Sequence, residues 1–175
     1  HHPIGIAVEG KVALDAGAST GGFTDCLLQR GAAKVHAYDV GTNQLAWKLR
    51  SDPRVVSREG FNLRHLQPSD LPEVVDLVVV DVSFISLTLV LGPLFGVLKP
   101  EGDLVCLVKP QFELKKEQIG KGGIVRDPAL HAEAVEKIRV HVLETLGKCW
   151  QGLVESPISG TDGNLEFLAW LRHPA

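Results

Sequence analysis

KVALDAGASTGGFTD, residues 11–25, decides the fold. Lys11–Asp15 is an apolar run that ends on a carboxylate, and a glycine-rich turn follows it. From Gly22 to about Arg30 the pattern is helical. Strand, turn and helix in that order open an α/β unit. The glycines permit a tight turn and close approach of a ligand, and the helix start offers free N–H groups. The spacing is not that of a dinucleotide fingerprint, G-x-G-x-x-G. Gly17-Ala18-Ser19-Thr20-Gly21-Gly22 has glycine in the first, fifth and sixth places. No GK[ST] follows, so the turn is not a P-loop either. It points to a nucleotide-like ligand of another kind.

Outward from this turn the alternation repeats. Lys34–Asp39 reads as the second strand, and residues 43–50 as a helix with Asn43 as its N-cap. Residues 54–57 form a short third strand and Val75–Asp81 an apolar fourth. Residues 86–98 are helical, ended by Lys99-Pro100-Glu101-Gly102. Asp103–Lys109 is the fifth strand. A Lys- and Gly-rich loop spans residues 114–126, and Pro128 starts a helix running to about Leu146. Residues 148–156 and 165–172 are the last two strands, joined by the hairpin turn SGTDGN, residues 159–164. Repeated β-then-α units imply a parallel sheet with helices on both faces, and the closing hairpin implies one antiparallel strand.

Four strands end on a charge: Asp15, Asp39, Asp81 and Lys109. In a parallel sheet all carboxyl ends share one edge, where doubly wound folds bind ligands. The four charges therefore converge on one crevice. Asp39, about 20 residues after the glycine turn, suits a ribose diol. Lys109 closes the buried run Leu104–Val108, and Pro110 ends the strand beyond it.

The chain has 175 residues and a net charge of −3, which fits one domain and no chain-wide electrostatic grip on nucleic acid. No run of about 18 apolar residues and no signal peptide occur, so a cytoplasmic protein without membrane spans is expected. Three separated cysteines, Cys26, Cys106 and Cys149, read as buried free thiols, and no His/Cys spacing suggests a metal. Trp47, Trp150 and Trp170 read as core residues. The chain lacks Met and begins His1-His2-Pro3. Residues 1–9 are therefore expected to be a tag remnant or interdomain tail that takes no part in the fold, with the domain at 10–175.

Several stretches together resemble one family: DAGASTGGFTD (15–25), YDVGTNQLAWKLRSDPRV (38–55), VVDVSFISL (79–87), LVKPQFE (107–113), GKGGIVRDP (120–128) and GNLEFLAWLR (163–172). Their sequence is similar to the hemolysin A (TlyA) family of FtsJ-like ribosomal RNA 2′-O-methyltransferases, in order and from Gly5 to Arg172. The resemblance implies a Rossmann-like methyltransferase fold, a seven-stranded sheet of order 3-2-1-4-5-7-6 with strand 7 antiparallel. It implies S-adenosylmethionine as cofactor and ribosomal RNA or ribosomal subunits as partner, with cytidine as target. Asp15, Gly17, Ala18, Ser19, Thr20 and Val40 would bind the cofactor, and the Gly21-Gly22-Phe23 turn would approach its methionine part. Asp39 would bind the ribose hydroxyls, Asn62 would lie near the adenine, and Asp81 with Val82 beside the sulfonium. Asp81, Lys109 and Glu166 match three members of the family's Lys-Asp-Lys-Glu catalytic tetrad. The remaining lysine belongs to an upstream SRGGLKL-like stretch, and an S4-type RNA-binding domain precedes that; this sequence contains neither.

Methyl transfer to a ribose hydroxyl needs the oxygen held close and relieved of its proton. A lysine takes a proton only when neutral, which burial favours and neighbouring carboxylates oppose. Lys109 thus reads as a base or as the group that orients the hydroxyl. Lys115, Lys116, Lys121 and Arg126 read as phosphate contacts or as a solvated, mobile loop. Three rival readings stand beside this one. They are a nicotinamide-dependent oxidoreductase, a pore-forming hemolysin, and a catalytically incomplete fragment that only binds cofactor or RNA. The missing G-x-G-x-x-G speaks against the first, and the absence of any membrane-spanning or amphipathic membrane helix speaks against the second.

Overall fold

The structure, a computed structural model, describes residues 5–157 and 163–175. Seven strands form one sheet: β1 (Val12–Ala16), β2 (Lys34–Tyr38), β3 (Val55–Arg58), β4 (Val75–Val80), β5 (Leu98–Val108), β6 (Cys149–Glu155) and β7 (Phe167–Arg172). Their order is β3-β2-β1-β4-β5-β7-β6. The first five run parallel, and β7 is antiparallel to both β5 and β6. Among the described residues the α-helices are α1 (Gly22–Gln29), α2 (Trp47–Arg50), α3 (Leu91–Phe95) and α4 (Pro128–Val140).

Side chains alternate along each strand, so the sheet feeds two cores. Leu14, Val78, Val80, Leu104, Cys106 and Leu171 pack with α3 and the buried face of α4, through Leu91, Leu94 and Ile138. Ala13, Val35, Val79, Val105 and Leu168 pack with Leu27, Leu28, Leu45 and Leu49 on the other face. Ile6 and Val8, from the stretch expected to take no part in the fold, are buried in this second layer.

The helices are shorter than the sequence pattern suggests. Asn43 has a φ of 55° and is no N-cap; α2 begins after Ala46. Its backbone N–H is drawn to the Glu59 carboxylate instead, which keeps residues 40–45 as a loop. The segment expected as one helix over 86–98 splits into a 3-10 turn (Leu87–Leu89) and α3, since Pro93 and Gly96 leave little room for a longer helix. Lys99–Gly102 does not stop a helix but runs within β5, where a register shift against β4 falls between Val75 and Leu77. Past Val140, α4 continues as a π-turn, His141–Thr145.

Two expectations about burial fail. Trp47 is 78% exposed on α2, because Leu45 and Leu49 take the inward positions of that short turn. Only Cys106 of the three free thiols is buried, whereas Cys26 and Cys149 are partly exposed. The turn SGTDGN lies largely outside the described residues.

Candidate active site

β1 pairs with β2 on one side and β4 on the other, so the strand order reverses at its carboxyl end. A cavity of about 510 Å³ opens there, walled by Gly17, Ser19, Asp39, Val40, Asn62, Asp81, Val82 and the apolar Phe61, Leu63 and Ile85. Gly17 has a φ of 90°, and a Cβ on it would lie 2.1 Å from the Asp81 carbonyl oxygen. Only glycine lets the end of β1 pass the end of β4 this closely. Gly21, at φ 107°, is needed for a different contact: its Cβ would meet Leu49 Cδ1 at 2.2 Å.

The glycine turn is also tied to β2. Gly17 and Ala18 donate backbone N–H groups to the Tyr38 carbonyl. The Asp39 carboxylate accepts from Ser19 N and, at 3.0 Å, from Gly41 N. Its remaining lone pairs face a cavity lined on one side by apolar groups, which suits a ribose diol and a planar base. Asn62 begins a 3-10 turn, with Oδ1 accepting from Arg64 N at 3.1 Å.

Asp15 stands apart from the cavity wall. It is fully buried beneath the turn, and Thr24 Oγ1 donates to its Oδ2 at 2.7 Å. Burial pushes its carboxyl up to about 7, with Thr24 working against the shift and Asp81 and Asp39 adding to it. Its Oδ1 has no partner among the described residues. Ala18, Thr20, Gly22 and Phe23 line a second cavity, of about 430 Å³, on the α1 side; Ser19 and Asp81 border both.

Lys109, one residue past β5, is 8% exposed. Its Nζ forms an ion pair with Asp81 Oδ1 and donates to Ser83 Oγ at 3.0 Å. Val108 is paired with Phe167 across the antiparallel β5/β7 ladder, so Glu166 comes to the same edge, buried at 6% exposure. Burial raises the Glu166 carboxyl above its ordinary value; Lys109 and a hydrogen bond from Gln111 oppose this, and Asp81 adds to it. Three residues from strands far apart in sequence thus meet, as sequence reasoning expects. A carboxylate that lines the nucleoside-sized cavity, an amine paired with it and a second carboxylate at the same sheet edge can hold a hydroxyl and move its proton.

A profile of the FtsJ-like methyltransferases matches residues 2–173. The chain belongs to this family. In sequence, the FtsJ-like chain is 54% identical over 167 residues to the 16S/23S rRNA (cytidine-2′-O)-methyltransferase TlyA of Mycobacterium tuberculosis, covering 95% of this chain and 62% of that protein. It is 47% identical to Hemolysin A of Brachyspira hyodysenteriae, covering 94% of this chain and 69% of that one. A solved structure from Streptococcus thermophilus superposes with a TM-score of 0.92 at 48% identity, over 97% of this chain and 62% of the other. The chain therefore spans less than two thirds of the M. tuberculosis relative. More distant S-adenosylmethionine-dependent methyltransferases share the fold, one from Listeria monocytogenes at TM-score 0.65 and 15% identity.

Four residues around the crevice of this FtsJ-like chain escape sequence reasoning, although all lie inside the motifs VVDVSFISL and LVKPQFE. Ser83 is the second partner of Lys109. Gln111 binds Glu166. Glu113, its side chain 2% exposed, accepts from Leu87 N at 2.9 Å and pairs with Lys137 at 3.1 Å, and so fixes the 83–87 loop. Phe84 lines the larger cavity, is 90% exposed, holds a φ of 63° and rests against Phe112 at 4.9 Å between ring centroids. A bulky exposed residue at positive φ is uncommon, and that signal exists only in three dimensions.

The basic loop is tied to the rest of the fold. Lys115, Lys116, Lys121 and Arg126 are exposed, but the backbone between them is pinned. Gln118 Nε2 donates to Glu133 on α4, and Asn164 bonds both Val125 N and the Gly123 carbonyl. Arg126 borders a groove between α4 and the β6/β7 hairpin.

Proposed function

We propose that this protein is an S-adenosylmethionine-dependent methyltransferase acting on the ribose 2′-hydroxyl of a cytidine in ribosomal RNA. The observation that carries this reading is the meeting of Asp81, Lys109 and Glu166 beside a nucleoside-sized cavity at the switch point of the sheet. The names of the M. tuberculosis and Campylobacter jejuni relatives support the ribose position and the base. Its partners are then ribosomal subunits, and its place is the cytoplasm.

On this reading, Asp39 accepts from the cofactor ribose, and Val40, Phe61 and Asn62 flank the adenine. The Gly17–Phe23 turn cradles the methionine end beside Asp81 and Val82. When bound, S-adenosylmethionine supplies a methyl group on a positively charged sulfur. Lys109 holds the ribose hydroxyl toward that methyl, and in its neutral amine form its Nζ receives the proton as the oxygen attacks. Glu166 keeps a negative charge near Lys109, and Lys115, Lys116, Lys121 and Arg126 bind phosphates.

Two measurements test the proposal. Tritiated methyl groups are expected to pass to unmethylated ribosomal RNA and to leave the modified linkage resistant to alkaline hydrolysis. Binding of NAD in place of S-adenosylmethionine overturns the cofactor assignment. The name of the Brachyspira relative raises a membrane activity, but among the described residues no helix is long and apolar enough to cross a membrane. Pure protein is expected to leave dye-loaded liposomes intact.

A further inference from the structure

Gln111 lies in the 3-10 turn Pro110–Phe112, directly after Lys109. It is 9% exposed, and its Nε2 donates to Glu166 Oε2 at 3.1 Å. Its Oε1 is buried without a partner among the described residues. An unsatisfied buried acceptor is a standing cost to the fold. A leucine or methionine would fill this space without that cost. The amide is explained if its other end is needed.

We propose that Gln111 is a positioning residue, its amide fixing the Glu166 carboxylate beside Lys109. This rests on the methyltransferase reading above and extends it by one residue outside the tetrad. The geometry is specific. Glu166 precedes β7 and is carried to the site by the β5/β7 ladder, with Val108 paired to Phe167. The ladder sets its backbone, and the Gln111 amide sets its side chain. Without that donor, a buried carboxyl reverts toward its neutral form. Two charges act on it, Lys109 after β5, which favours the carboxylate, and Asp81 after β4, which disfavours it. The titratable groups on the other packed elements, Glu155 of β6 and His131 of α4, are placed against Phe167, by strand pairing and by ring contact. Gln111 is thus the uncharged group that, with Lys109, favours the carboxylate form of Glu166 against burial.

The test is the titration of Glu166 in the whole protein. Carboxyl ¹³C shifts, assigned by the signal lost in Glu166→Gln, give its midpoint in wild type and in Gln111→Leu. Gln111→Met serves if the leucine variant does not fold. The expected result is a higher midpoint in the variant. Methylation by the variant should also fall more at pH 6 than at pH 8, with cofactor affinity unchanged. An unmoved midpoint, or an equal loss of rate at both pH values, overturns the proposal. Should the wild-type protein methylate no RNA, the methyltransferase reading fails, while the titration still decides the role of Gln111.

Discussion

Lys109 and Asp81 form an ion pair across the ends of β5 and β4, and Ser83 Oγ takes a second Lys109 N–H at 3.0 Å. The amine is therefore anchored from the side of the larger cavity, which Asp81 and Ser83 both line. Lys109→Ala should lower methylation by at least about 100-fold, the usual worth of a positioned acid–base group. Cofactor affinity should stay within about three-fold, because Lys109 does not line the cavity. Single-turnover methyl transfer and calorimetry on the same protein separate the two effects. Normal turnover would remove Lys109 from the mechanism.

Gly17→Ala tests the crossing of β1 and β4. The added Cβ meets the Asp81 carbonyl at 2.1 Å in a backbone conformation of φ 90°. Strain and overpacking together should cost about 2–4 kcal/mol of stability. Chemical denaturation should show this as a lower midpoint, with cofactor affinity reduced in parallel.

Asp15 predicts a pH signature. Its carboxyl is pushed from 3.8 up to about 7 by burial. Between those values the folded state holds a proton that the unfolded state has lost. The contribution of Asp15 to stability therefore falls as pH rises from about 3.8 to about 7, and is level above that. In Asp15→Asn this slope should vanish, which melting temperatures of both proteins across pH 5–8 will reveal. Parallel curves for the two would contradict the assignment.

Phe84 is exposed and rests against Phe112 beside Asp81 and Ser83. On the proposed function it offers a stacking face to a nucleobase, worth about 1–3 kcal/mol. Phe84→Ala should then lower kcat/KM for ribosomal RNA by about 5- to 150-fold and leave melting temperature unchanged. An unaltered kcat/KM would make Phe84 a bystander.

The sequence by itself determined the sheet. A short, β-branched, apolar run such as VDLVVV reads as a buried strand, and the alternation of such runs with helical segments sets parallel pairing. The closing strands around GNLEFLAWLR set the one reversal. The charges at Asp39, Asp81 and Lys109 were legible too, because a polar residue ending an apolar strand stands out. Helix limits were less legible: Asn43 and the 86–98 segment answer to partners elsewhere, Glu59 and the packing around α3, that periodicity does not contain. Only the tertiary structure decided what the side chains do. It buried Asp15 beneath the turn, turned Trp47 outward, and joined Lys109 to Ser83, Gln111 to Glu166 and Glu113 to Leu87. The reason is physical. Strand burial is written in local composition, whereas a hydrogen bond between residues 26 or 55 positions apart depends on where the sheet register sets both ends.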